Sequence, residues 1–215
     1  MNDIIQTITV YAIPVIFAIT LHEAAHGYVA KHFGDATAFV QGRVTLNPLK
    51  HIDPIGTIVI PIVLAILTAG KFVFGYAKPV PVSFGNLRNP RRHMIWVALA
   101  GPVANLIQAL LWSIFGVVIV LLAVQEPYFY AVVNAGVLVN LVMFALNLFP
   151  VPPLDGGRVL AGILPMRLAV PYSRIEPYGF FIVLALVATG LLNVWMLPIM
   201  GAMQALFAAM IRPFL

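Results

Sequence analysis

The chain has 215 residues, of which 62% are hydrophobic and only 9% charged, and its mean hydropathy is +1.01. A soluble domain carries about 25% charged residues, so a surface this poor in charge must face lipid, and the length leaves room for one compact domain. The net charge of +5 sits in short loops between apolar runs, which reads as topology control and excludes a nucleic-acid footprint. The absence of Cys excludes disulfides and thiolate metal sites.

In chain order, the first apolar run, about Ile4–Val29, is long enough to span a bilayer and contains Pro14, His22, Glu23 and His26. It has no basic leader of the signal-peptide kind. Polar stretches follow, within which Ala38–Leu46 reads as a small hairpin or extended segment. Ile55–Gly70 is apolar but marginal for spanning. Phe72–Phe84 reads as extended, because its prolines forbid a helix. Met94–Val124 and Phe129–Phe149 span, separated by a loop, Gln125–Tyr128, that has no Lys or Arg. After a proline-rich turn and a basic loop carrying Arg158, Arg167 and Arg174, two apolar stretches at about 178–192 and 194–211 read as a helical hairpin.

Charge selects the topology. If Ile55–Gly70 crossed the membrane, the ends of the spans carrying His26 and Asp155 would fall on opposite faces. If it dips in and returns, every basic loop lies on one side and the uncharged loop on the other. The expected fold is therefore an all-α polytopic membrane protein. It has about five spanning helices, one re-entrant segment and short β-like segments at the membrane edge. A single domain is expected over 1–215, with a core of about 4–160 and a C-terminal hairpin of about 178–211. The N-terminus is expected outside, and the C-terminus near Arg212 inside with the basic loops.

His22-Glu23-Ala24-Ala25-His26 is an HExxH pattern. Histidines four apart lie on one helix face, where their nitrogens can bind one Zn²⁺. Glu23 is placed to take the proton of a metal-bound water and return it to a leaving amine. Ionisable residues within an apolar run are costly, which favours a functional site over a polar helix end. A catalytic zinc needs a third protein ligand. Asp35, Asp53 and Asp155 lie on the inner side. Asp155 is the preferred ligand because it follows a proline-rich turn at the inner end of a span and precedes Gly156-Gly157, where backbone can approach closely. His51, near Asp53, reads as a loop residue. His32 and His93 read as solvated, and Lys78 and Arg158 as snorkelling.

Three elements in this order resemble the site-2 proteases, which are intramembrane zinc metalloproteases: HEAAH at 22–26, AGPVAN at 100–105 and NLFPVPPLDGGR at 147–158. Asn47-Pro48-Leu49, Asp53-Pro54 and the segment 75–79 look like the compact prokaryotic subgroup, and no segment looks like the PDZ or CBS domains of other relatives. The resemblance implies a core of three transmembrane helices around Zn²⁺, with His22, His26 and Asp155 as ligands and Glu23 as base. Asn147 reads either as a hydrogen-bond partner of substrate or oxyanion or as an interhelical contact. Asn105, Gly101 and Pro102 read as packing residues. The implied substrate is a membrane protein with a single span, cut in or near its transmembrane segment. The implied location is a cell membrane, multi-pass, with the active site toward the cytoplasm. Residues 38–46 and 72–84 are expected to pair with an unwound substrate. The competing reading is a zinc transporter or an inactive zinc-binding protein. Glu23 at the position of a base, and ligands at one depth, speak against it.

Overall fold

The computed structural model describes residues 2–67, 75 and 77–214. The first helix, α1 (Asn2–His32), carries the HExxH pattern in its last third. A short helix, α2 (Thr37–Val40), follows. A π-helical segment, Pro54–Val59, leads into α3 (Ile60–Leu67). Then come α4 (Pro90–Leu121), α5 (Pro127–Asn147), α6 (Asp155–Ile163), α7 (Met166–Ser173), α8 (Glu176–Ala188) and α9 (Leu191–Ile211). Helix starts follow local chemistry. Proline stands in the first turn of α4 and α5, where its missing N–H costs nothing, and the Asn89 side chain caps α4 by accepting from the Arg92 N–H.

Among the described residues, four helices (α1, α4, α5 and α9) are long and apolar enough to cross a membrane, and α7 with α8, bent by 71°, would make a fifth. The chain is a multi-pass membrane protein. The bundle of α1, α4 and α5 holds the centre, with α9 closing one side over Ala109, Leu141, Ala145, Met200 and Phe207. Gly136 lets Trp112 lie on α5, since a Cβ there would stand 2.3 Å from the indole. Polar side chains also tie the bundle together. The Asn105 amide N–H₂ on α4 donates to the Ala18 carbonyl on α1 at 3.1 Å and to Asn140 Oδ1 on α5 at 2.9 Å. In lipid, such bonds hold helices where the hydrophobic effect cannot.

The two flanks of the second apolar run meet. The Lys78 N–H donates to the His51 carbonyl at 2.9 Å, so residues 51 and 78 stand side by side and the chain returns to the place it left. Asp53 caps the outgoing arm by accepting from the N–H groups of Ile55 and Gly56. Residues 68–74 and 76, on which parts of the expected Ile55–Gly70 and Phe72–Phe84 segments fall, lie outside the described residues.

Three local expectations need correction. Ala38–Leu46 does not begin as a strand: Thr37–Val40 is helical, because Asp35 accepts from the Thr37 N–H and hydroxyl and starts the turn. Residues 77–83 are extended, but among the described residues no strand forms. Side chains take the polar groups a ladder would use: Arg43 at the Lys78 and Pro79 carbonyls, Glu23 at the Val80 N–H and Asp35 at the Ser83 N–H. The placement of the C-terminus also differs. Gly179 on α8 abuts Pro152, and the Trp195 indole on α9 donates to the Ala145 carbonyl at 3.0 Å. From there α9 runs to Arg212, which lines a cavity with Val120 and Val133. The C-terminus therefore lies at the end of the α4–α5 loop, not with the basic loops, because α9 enters the bundle beside the Asn147 end of α5 and has length for one crossing.

Candidate metal centre

The helical period brings His22 and His26 together, with their Nε2 atoms 3.1 Å apart. Asp155, the first residue of α6, presents Oδ2 to both, at 3.2 Å from His22 and 3.3 Å from His26. All three residues are buried, and among the described residues they are the one group of His, Asp or Glu side chains close enough to share a metal.

The hydrogen bonds around the rings decide which atoms face inward. His22 Nδ1 lies 2.6 Å from Asn105 Oδ1. The Asn105 N–H₂ is committed to Ala18 and Asn140, so its oxygen must face His22 and accept. His26 Nδ1 lies 2.7 Å from the Val97 carbonyl, also an acceptor. Each Nδ1 therefore carries the hydrogen, and each neutral ring points an Nε2 lone pair inward. Oδ2 of Asp155 is buried with no hydrogen-bond donor. Three acceptors thus face one another around a point that holds no donor, and a cation there satisfies all of them. Zinc bonds of about 2.0–2.1 Å in a tetrahedron put neighbouring ligand atoms roughly 3.3 Å apart, which these separations match. The residues fit the ion.

Space for the ion comes from α4. A Cβ built on Gly101 would stand 2.4 Å from His26 Nε2 and 2.6 Å from His22 Nε2, so glycine keeps clear the volume between the rings. Sequence reasoning read Gly101 and Asn105 as packing residues. Asn105 does tie helices, and it also orients His22. The signal available was a Gly-Pro pair followed by an amide within an apolar run.

Glu23, one position along α1, lines a cavity of about 390 Å³ together with His22, His26, Asp155, Asn147 and Arg158. Its Oε2 accepts from the Val80 N–H at 2.7 Å. Asn147 ends α5 at this cavity and donates its amide back to the Met143 carbonyl. Arg158, one turn beyond Asp155, faces the Phe84 ring at 5.6 Å.

The other candidates are occupied elsewhere. Asp35 accepts from Thr37, Ser83 and Asn86 and joins α1 to the segment before α4. Asp53 is a helix cap. His51 is buried with Nε2 at the Thr45 carbonyl, and His93 stacks on Phe33 with ring centroids 4.2 Å apart. Position 155 follows a tight turn, Leu148–Leu154, and both glycines are required there. A Cβ on Gly156 would meet the Leu148 carbonyl at 2.2 Å, and one on Gly157 the Pro152 nitrogen at 2.3 Å. Arg91 on α4 holds the other end of α6 by donating to the carbonyls of Gly162, Ile163 and Leu164.

Comparison with known proteins gives a consistent set. The family model described as Peptidase family M50 matches residues 119–190. A Bacillus subtilis (strain 168) protein named "Putative zinc metalloprotease YwhC" is 39% identical over 94% of this chain and 93% of its own length. Proteins named "Putative zinc metalloprotease Rip2" are similar as well. The Mycolicibacterium smegmatis protein is 30% identical over 84% of this chain and 67% of its own length, and the Mycobacterium tuberculosis H37Rv protein 31% over 83% and 66%. No solved structure matches.

Proposed function

The chain belongs to peptidase family M50 and is an intramembrane zinc metalloprotease, and on that premise we propose that it is of the site-2 type, with His22, His26 and Asp155 as zinc ligands and Glu23 as general base. The observation that carries this assignment is the meeting of three buried acceptors, two of them with their second nitrogen already committed. When bound, zinc supplies Lewis acidity and lowers the pKa of its water.

The chain's own residues do the rest. Glu23 is held through Oε2 by the Val80 N–H. That leaves Oε1 to take a proton from the attacking water and pass it to the leaving nitrogen, a role that contributes about 10²–10⁴-fold to such reactions. Asn105 and the Val97 carbonyl keep both imidazoles in the ligand tautomer. Asn147 offers its amide oxygen at the rim for a substrate N–H.

The proposed substrate is a membrane protein with a single span, unwound near the cut so that its backbone can lie beside the extended residues 77–82. The basic residues Arg88, Arg91, Arg92, Arg158, Arg167 and Arg174 surround the site end, and the loop 122–126 at the other end has no Lys or Arg. By the positive-inside rule the site opens toward the cytoplasm of a cell membrane.

The test compares the wild type with Glu23→Gln in liposomes on single-span reporters, with bound zinc measured on both. Cleavage by the wild type alone, at equal zinc, is expected. Equal zinc with equal cleavage removes Glu23 as base. A protein that holds zinc and moves it across vesicles without cutting any reporter is a transporter.

A further inference from the structure

Arg43 is buried, with 9% of its surface exposed, yet among the described residues no carboxylate forms an ion pair with it. A buried charge needs hydrogen bonds in place of water. Arg43 finds them on backbone: Nη2 donates to the Lys78 carbonyl at 2.9 Å and to the Pro79 carbonyl at 3.3 Å. Two consecutive peptide groups are thereby pinned by one planar head, a task suited to guanidinium. Between them Pro79 offers no N–H, so the next donor along the chain is Val80, and it donates to Glu23 Oε2 at 2.7 Å.

Val80 is itself seated tightly. Its side chain is buried against α1 at Gly27, where an added Cβ would stand 3.0 Å from Val80 Cγ1 and 2.8 Å from Val44 Cγ2. Arg43 is aimed by its own backbone: Gly42 takes a φ of 62°, and the Arg43 N–H closes the turn on the Ala38 carbonyl. A chain of contacts therefore runs from the α2 turn through Arg43 to the 78–80 backbone and on to the carboxylate beside the metal centre.

We propose that Arg43 is a positioning residue for Glu23. By locking the carbonyls of Lys78 and Pro79 it fixes the Val80 N–H, which holds Oε2 and turns Oε1 toward the reacting water. The inference rests on the assignment of Glu23 as base. It adds a residue that contacts neither metal nor substrate and acts through one backbone hydrogen bond.

The experiment uses the full chain in liposomes with a single-span reporter. Wild type, Arg43→Ala, Arg43→Lys, Val80→Pro, the double variant Arg43→Ala/Val80→Pro and Glu23→Gln are compared for kcat, KM and bound zinc. Val80→Pro deletes the donor and exchanges the isopropyl group packed at Gly27 for a ring of similar size. Val80 already precedes Pro81 and is restricted to extended backbone, which proline accepts.

A misplacement of the base by about 1 Å costs on the order of 10²-fold, so each of Arg43→Ala and Val80→Pro is expected to lose about that much in kcat. Zinc should stay within about twofold, because no candidate ligand is changed; KM is read apart from kcat, because the substrate backbone is proposed to lie beside residues 77–82. The double variant should fall no further than the worse single, because both remove the same hydrogen bond. Arg43→Lys, with a donor for one of the two carbonyls, should recover roughly tenfold over Arg43→Ala.

A kcat within about threefold of wild type in Val80→Pro, a loss of zinc, or single losses that multiply to about 10⁴-fold in the double variant would each overturn the proposal. Should Arg43→Ala not accumulate in the membrane, Val80→Pro and Arg43→Lys decide by the same criteria. The premise is judged separately. A Glu23→Gln protein as active as wild type removes the base, whereas an inactive Glu23→Gln beside a fully active Val80→Pro removes only the part given to Arg43.

Discussion

The Nδ1 atom of His22 sits 2.6 Å from Oδ1 of Asn105, and that same amide bonds Ala18 on its own partner helix and Asn140 on α5. One side chain thus fixes a ring tautomer and ties three helices. Structure and site are coupled at this amide, and its two roles can be separated by mutation.

Asn105→Leu keeps the volume and removes both roles. It should weaken zinc binding by about 10–100-fold, the usual cost of losing a partner that orients a ligand. Asn140→Leu leaves Asn105 Oδ1 on His22 and removes one interhelical bond, worth about 0.6 kcal/mol in membranes. It should lower thermal stability slightly and leave zinc affinity unchanged. Competition with a graded series of chelators measures both. Equal zinc affinity in Asn105→Leu and wild type would show that the tautomer is set some other way.

Gly101→Ala should improve α4 as a helix, since alanine is favoured over glycine by about 1 kcal/mol. The added methyl, however, falls 2.4 Å and 2.6 Å from the two Nε2 atoms. A stable, folded protein with at least roughly tenfold less zinc and no cleavage is expected. Elemental analysis of the purified protein reads this directly, and full zinc occupancy in Gly101→Ala would contradict the geometry.

Asp35 sets the acid limit of the membrane-edge region. Burial by itself would raise its carboxyl, but hydrogen bonds from the Thr37 hydroxyl and N–H, the Ser83 N–H and Asn86 hold it below its ordinary value of 3.8. A carboxyl with a depressed folded-state pKa stabilises fully above its unfolded value, and that stabilisation is lost as pH falls through the folded value. The unfolding temperature of the wild type should therefore drop below about pH 4 more steeply than that of Asp35→Asn, and the gap between the two should narrow as pH falls. Thermal unfolding followed from pH 7 to pH 3 tests this, and parallel curves would mean that Asp35 does not carry the effect.

The meeting of His22, His26 and Asp155 was legible in the sequence. A spacing of four puts His22 and His26 on one face of any α-helix, so the pair follows from the local period alone. Asp155 could be selected because a proline-rich turn with two glycines allows close backbone approach at the inner end of a span, and the structure brings its Oδ2 to both rings. The distribution of charge favoured a return of the chain after residue 51, and residues 51 and 78 share a backbone hydrogen bond. Other expectations failed where local pattern was a poor guide. The 38–46 segment has a strand-like composition, yet Asp35 nucleates a helical turn ahead of it. The end of α9 is set by its packing on α5, a contact that no local pattern encodes.

The sequence by itself determined that the chain lives in a membrane, that imidazole and carboxylate are the side chains available to hold a metal, and that His22 and His26 share one face of α1. Lipid tolerates few charges, and helical geometry repeats every few residues, so both facts are local. Only the tertiary structure decided what surrounds His22, Glu23, His26 and Asp155: the amide at His22 Nδ1, the glycine that keeps the space between the rings clear, and the arginine that reaches Glu23 through the backbone at Val80. These partners lie far from the motif in sequence, and the distances between them exist only once α1, α4, α6 and the 78–80 segment have packed together.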